Sequence, residues 1–155
     1  MSEVVFYHLQ RQPLERVLPE LLEKCLERRW RAVVQVGSQE RLEALDGHLW
    51  TYRQEEFLPH GTARDGRADA QPVYLTTGPD SPNRATVRFL ADGAETADVD
   101  AYRRVVLLFD GNDPEAVGRA RQSWTAAKAA GHATTYWQQN DRGGWEKKAD
   151  SGVSG

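Results

Sequence analysis

Few residues in this chain have the type and spacing that chemistry requires. The run Val105-Val106-Leu107-Leu108-Phe109 ends in Asp110, the pattern of an apolar strand whose terminal carboxylate holds Mg2+ in P-loop ATPases. Its partner element is missing. Neither G-x-G-x-x-G nor G-x-x-x-x-G-K-[ST] occurs, so no nucleotide-binding loop lets backbone N–H groups approach a phosphate. Asp110 reads instead as a turn residue after a buried strand. His8, His48, His60 and His132 show no H-E-x-x-H or i, i+4 pairing, which gives a metal site little support and makes most of them surface or edge residues. Asp98 and Asp100 offer a cation two carboxylates but fit a solvated turn better. No G-x-S-x-G elbow occurs and the single cysteine, Cys25, has no histidine nearby in sequence, so nucleophilic catalysis has no anchor. Cys25 is expected to be a buried small hydrophobe, with no disulfide or Cys-rich zinc cluster open to it. The expectation is a chain with no catalytic residue, metal or cofactor.

Binding has a better candidate after Asp113. At about 100° per residue, Ala116, Ala120, Ser123, Ala127 and Ala130 fall on one side of a helix, while Val117, Arg121, Trp124 and Lys128 share another stripe. If the small side is the buried one, Trp124 is held at the surface between two cations. Such a stripe suits a short acidic peptide with a hydrophobic end. The alternative is that Trp124 packs into the core and the cations only solubilise the helix, and composition does not decide between the two.

The elements that must position this stripe alternate. Residues 3–9 form a strand rich in β-branched and aromatic residues, and 13–26 carry apolar positions at helical spacing that Pro19 should kink or delay. A strand at 30–36, a helix from Ser38 as N-cap to about Leu49, and strands at 72–76 and 85–90 follow. Residues 105–109 are a strand buried on both faces, and Asp113-Pro114-Glu115 opens the last helix, which Gly131 closes before a short strand at 132–138. This order predicts an α/β chain, a single-domain Rossmann-like three-layer sandwich with a mostly parallel sheet. Residues 51–71 lose periodicity and are expected to be partly mobile, and residues 140–155 to form a poorly ordered tail after a 1–139 domain.

At 155 residues and 39% hydrophobic the chain suits one compact core. A net charge of −3 argues against gripping duplex DNA through phosphates. No apolar run spans a membrane and no signal peptide is evident, so a cytoplasmic protein is expected.

Together, Val5-Phe6-Tyr7, Arg29-Trp30, Leu45-Asp46-Gly47-His48-Leu49-Trp50, Phe57-Leu58-Pro59-His60 and the helix from Ala120-Arg121 to Ala130-Gly131 resemble the chi subunit of bacterial DNA polymerase III, over nearly the whole chain to Trp137. The spacing from Leu49-Trp50 to Phe57-x-Pro59-His60 is the most specific element. The resemblance implies a Rossmann-like domain without nucleotide binding and a non-catalytic subunit of the clamp-loader complex in DNA replication. It implies two protein surfaces. One takes the acidic C-terminal tail of single-stranded DNA-binding protein, which ends in a Phe with a free carboxylate. Arg121 matches the family's tail-binding arginine, and Trp124 stands at a family tyrosine. Thr125 replaces a family lysine and Val117 another basic residue, leaving the site less cationic, with Lys128 one turn on. The other surface binds the psi subunit, or another clamp-loader protein, and maps onto Trp50 and Phe57. Contact with DNA is then mainly indirect. Two rival readings are a nucleotide-binding regulator or enzyme on the ends of the parallel strands, and direct capture of single-stranded nucleic acid through the tryptophans and Arg64 to Arg67.

Overall fold

The structure, a computed structural model, describes residues 2–10, 13–51, 60–62, 68–91, 93–94, 99–142 and 144–150. The chain runs β1 (Glu3–Leu9), α1 (Leu14–Glu27), β2 (Ala32–Gln35), α2 (Gln39–Thr51), β3 (Gly61–Thr62), β4 (Val73–Thr76), β5 (Val87–Leu90), β6 (Arg104–Asp110), α3 (Pro114–Ala129), β7 (Ala133–Gln139) and β8 (Trp145–Asp150). Among the described residues these strands form one sheet in the order β3-β4-β2-β5-β6-β1-β7-β8. Every pairing is parallel except β7 with β8. The predicted three-layer α/β sandwich is the observed fold.

Alternation of side chains along each strand sorts the core into two layers. Val5 and Leu9 of β1, Val106 and Leu108 of β6, and Val34 of β2 pack with Leu14, Val17, Leu18 and Leu22 of α1 and Leu42, Leu45 and Leu49 of α2. The opposite parity, Val4 and Phe6 of β1 with Leu107 and Phe109 of β6, meets Ala120, Trp124 and Ala127 of α3. Over β2, β4 and β5 that second face is closed by a separate group that includes Val33, Tyr74, Ala85 and Tyr102. Among the described residues one charged group lies fully inside: Arg88 of β5, which donates to Gln35, Tyr102 and the carbonyls of Gly78 and Asp80.

Helix starts follow their caps. Ser38 Oγ accepts the N–H of Arg41 at 3.1 Å, and Asp113 Oδ1 accepts that of Glu115 at 3.0 Å with Pro114 at the first helical position. Pro19 does not delay the helix. Helix α1 runs unbroken through it. A proline cannot donate to the carbonyl four residues back, here Glu15. The imidazole of His48 on α2 lies with Nε2 2.7 Å from that oxygen and donates in its place.

Two further expectations are corrected. Residues 145–150 are a strand, not loose tail: β8 pairs antiparallel with β7, and Trp145 packs edge-on against Tyr7 with ring centroids 5.1 Å apart. Asn140 holds the connection, its Oδ1 accepting the N–H groups of Arg142 and Gly144, each at 2.9 Å. His8 and His60 are buried rather than peripheral. Each has a polar partner inside, Tyr136 for His8 and Asp46 for His60, and such pairing offsets the desolvation of an imidazole.

Of the long connection, β3 and a 3-10 turn at Ala68–Ala70 are ordered pieces. Residues 52–59 and 63–67, which include Phe57, Arg64 and Arg67, lie outside the described residues. Among the described residues no helix is long and apolar enough to cross a membrane, and no group of three or more His, Cys, Asp or Glu could hold a metal ion.

Candidate functional site

Helix α3 rests on the sheet through its small residues. Ala120 is buried, Ala116, Ser123 and Ala127 are half-buried, and Ala130 is exposed. The adjoining stripe therefore faces outward along one flank. Arg121 and Lys128 are exposed, and Val117 and Trp124 are half-buried. Trp124 stands on the wheel about 40° from Ala120, closer to the buried side than the two cations. Its indole thus neither stands free in solvent nor sinks into the core. It leans edge-on against Phe6, centroids 5.6 Å apart, and against Tyr136 at 6.0 Å.

Beneath the stripe lies an aromatic floor that sequence reading did not assemble. Register pairs Phe6 with Tyr136 and His8 with Phe109, on β1, β7 and β6. All four point to the α3 face because they share one parity of their strands. Phe109 and Tyr136 meet edge to face at 5.9 Å, and His8 Nδ1 lies 2.7 Å from the Tyr136 hydroxyl. His8 Nε2 is buried with no hydrogen-bond partner among the described residues. A side chain at Gly111 would collide with that ring, since its Cβ would fall 2.0 Å from it.

The electrostatics follow from burial and from one neighbouring cation. Burial, and then the Arg121 guanidinium, push His8 below its ordinary imidazole range, against a smaller opposing pull from Asp110. Burial raises the Tyr136 phenol, with Arg121 working the other way. Arg121 therefore lies close enough to the floor for its field to reach two of its members. Among the described residues neither Arg121 nor Lys128 has an ion-pair partner. The flank combines two free cations, an aromatic edge and an apolar seat. Chemically it can bind an anionic segment with an apolar end.

A family model described as DNA polymerase III chi subunit, HolC, matches residues 1–135. The chain belongs to the DNA polymerase III chi subunit family. A chain of this family from Rickettsia prowazekii (strain Madrid E), named probable DNA polymerase III subunit chi, is 26% identical over 117 residues, covering 71% of each chain. The chi-family match includes all of α3, reaches only the start of β7 and ends before β8. As a chi-family chain the protein is an accessory subunit of DNA polymerase III, with a part in replication.

The remaining positions singled out by sequence are placed as follows. Trp50 falls in the last turn of α2, and its side chain, like all of Phe57, lies outside the described residues. Asp110 ends β6 with Oδ1 accepting the N–H of Asn112 at 2.9 Å, a turn role. Asp100 sits on the 3-10 turn Val99–Ala101, and Asp98 lies outside the described residues. Cys25 is buried in the α1 core. The signal that could have found His8, Phe109 and Tyr136 was their period of two on three strands. Strand order was also needed, and a single sequence does not carry it.

Proposed function

We propose that this chain is the adaptor that links the polymerase III clamp loader to single-stranded DNA-binding protein, taking that protein's acidic C-terminal tail on the α3 flank. The observation that carries the reading is the pairing of two unpartnered exposed cations, Arg121 and Lys128, with a half-buried Trp124 one turn from each. In the proposed complex tail carboxylates lie on Arg121 and Lys128, while the terminal Phe packs on Trp124 and Val117. Tethering of this kind raises local concentration without tight contacts. The psi subunit, or another clamp-loader protein, would take the Trp50 and Phe57 surface. On this reading the protein works in the cytoplasm, is not itself an enzyme, and meets DNA mainly through its partners.

Calorimetric titration of a tail peptide tests the assignment. Arg121→Ala should weaken binding roughly tenfold, the value of one charge-assisted hydrogen bond. Binding should also fall with salt, because exposed charges are screened over about 10 Å at 0.1 M. Equal affinity for wild type and variant would remove Arg121 from the site.

The nucleotide reading has one observation in its favour. A cleft of about 670 Å3 opens between Leu9, Gln10 and Glu15 on one side and Asp110, Asp113 and Arg119 on the other. It lies at the C-terminal ends of β1 and β6, where the chain leaves in opposite directions, the usual ligand position in such sheets. Its chemistry is against a phosphate. Asp113 already accepts an N–H at the α3 N-terminus, and Asp110 adds a second carboxylate. A mixed-nucleotide thermal-shift screen separates the two readings, since any ligand of the native state raises its melting temperature.

A further inference from the structure

The α1 face carries a second cluster, which the tail reading does not use. Helix α1 ends at Arg28, followed by Arg29 in the left-handed region at φ 59 and then Trp30. Trp30 N–H reaches the Cys25 carbonyl at 2.9 Å, and Arg29 N–H that of Leu26 at 2.9 Å. These two bonds define a Schellman ending, whose left-handed position ordinarily belongs to glycine. An arginine there carries backbone strain that a glycine would not.

Three guanidinium groups surround the Trp30 ring: Arg28 at 5.0 Å from its centroid, Arg103 at 5.1 Å and Arg104 at 5.3 Å. The Arg103 backbone N–H donates to the Thr86 carbonyl at 3.0 Å. Arg104 is partly neutralised by Glu3, 3.1 Å away. Lys24, Arg28, Arg29 and Arg103 are exposed, and among the described residues none of them has an ion-pair partner. Lys24, Arg28, Arg103 and Arg104 thus converge around Trp30, with Arg29 next in the chain to Arg28 and Glu3 against Arg104, in a chain whose net charge is −3. Guanidinium groups stacked on an indole keep their in-plane donors free, and those match a phosphate.

A hollow of about 190 Å3 opens beside them, lined by Tyr7, Leu21, Cys25, Trp30, Arg28 and Arg104 among others. Its walls are aromatic and apolar and its rim is cationic. An acidic side chain would satisfy the rim and leave the hollow empty, whereas an unpaired nucleobase fills it while its phosphates meet the rim. A duplex cannot present such a base.

We propose that the Trp30 cluster is a contact for single-stranded nucleic acid, with phosphates on Arg28, Arg29 and Arg103 and one base in the Tyr7/Trp30 hollow. It lies on the α1 face, whereas the α3 flank belongs to the other layer, so the two surfaces can be occupied together. The contact is weak on its own and adds to whatever tether holds the protein near a strand.

Fluorescence anisotropy of a labelled oligo-dT with the full chain tests this. Three phosphate contacts give a slope of about −2 in log affinity against log salt for a single strand. Arg28→Gln combined with Arg103→Gln should lower the affinity at least tenfold and flatten the slope toward about −0.7. Both side chains are exposed, and circular dichroism would establish that the variant folds. Neither a duplex of equal length nor poly-glutamate at equal charge should displace the oligonucleotide. No binding at low salt, unchanged affinity in the double variant, or displacement by poly-glutamate as effective as by oligo-dT would each overturn the proposal, the last assigning the surface to an acidic protein. Arg121→Ala should leave oligonucleotide binding unchanged, and the double variant should bind tail peptide normally, so this proposal and the tail assignment can fail separately.

Discussion

Replacing Arg88 tests whether a buried hydrogen-bond network or a mere positive charge holds the sheet beside the 78–80 turn. Arg88 is fully buried, and all five of its N–H groups are used. Nε donates to Gln35 Oε1 at 3.1 Å, Nη1 to the Tyr102 hydroxyl at 3.0 Å and the Asp80 carbonyl at 3.2 Å, and Nη2 to the Gly78 carbonyl at 2.6 Å and again to Gln35. None of these acceptors is charged, so the geometry of the fork is what compensates the buried cation. Arg88→Met keeps the length and removes every donor. The Gly78 and Asp80 carbonyls lie at half-buried and exposed positions and can recover water, whereas Gln35 and Tyr102 are 9% and 8% exposed and cannot. Two buried acceptors at roughly 1–3 kcal/mol each, less the relief of no longer burying a charge, give a loss of about 3 kcal/mol. With a urea m-value of about 2 kcal/mol/M, the unfolding midpoint should fall by about 1.5 M. Arg88→Lys is the discriminating partner. It keeps the charge but supplies three donors with no fork, so its loss should equal or exceed that of methionine. Urea unfolding of the three proteins decides the matter, and a lysine variant within about 1 kcal/mol of wild type would refute the network account.

Three more perturbations check separate parts of the structure. Because His8 is held below its free value of 6.5, the unfolded chain takes up a proton that the folded chain resists, so stability is complete above pH 6.5 and is lost as pH falls. Melting temperature should therefore drop between pH 7.5 and 5.5 more in wild type than in His8→Leu, and equal drops would show that His8 does not contribute. Burial pushes the Cys25 thiol up to about 11, so at pH 8 about one thiol in a thousand is ionised, and native protein should resist a thiol reagent that labels it at once in denaturant. Trp145→Ala removes the contact that fixes β8 over Tyr7, and it should cost about 1–2 kcal/mol and open the 140–150 segment to protease; an unaltered digestion rate would mean that the β7 ladder alone holds the strand.

Features encoded within a few residues were legible in the sequence. The caps at Ser38 and Asp113, the strand at β6 and the side of α3 that meets the sheet all act over one or two turns, and the structure has them where the sequence puts them, although Leu107 and Phe109 of β6 are half-buried and Ala130 of α3 is exposed. What depended on a distant partner was not legible. Pro19 should have disturbed α1, but the group that satisfies its orphaned carbonyl is His48, on another helix. The aromatic floor needs β1 to lie between β6 and β7, and the Trp30 cluster needs Arg103 and Arg104 to arrive from the start of β6. β8 escaped notice because its apolar content is little more than Trp145, and a polar strand after a Gly-rich turn reads as coil. Trp124 shows the limit of a helical wheel: the angles put it at the border of buried and exposed, and only the rings beneath it set how far it leans in.

The position of β1 also governs how the molecule comes into being. Glu3 pairs with Arg104, 101 positions later, and with Ala133 later still. A nascent chain therefore carries Val4, Val5 and Phe6 out of the ribosome long before either neighbour exists. β1 can gain its β6 neighbour only once Asp110 is made and its β7 neighbour only once Gln139 is made, which leaves an unpaired apolar strand for chaperones to shield until then.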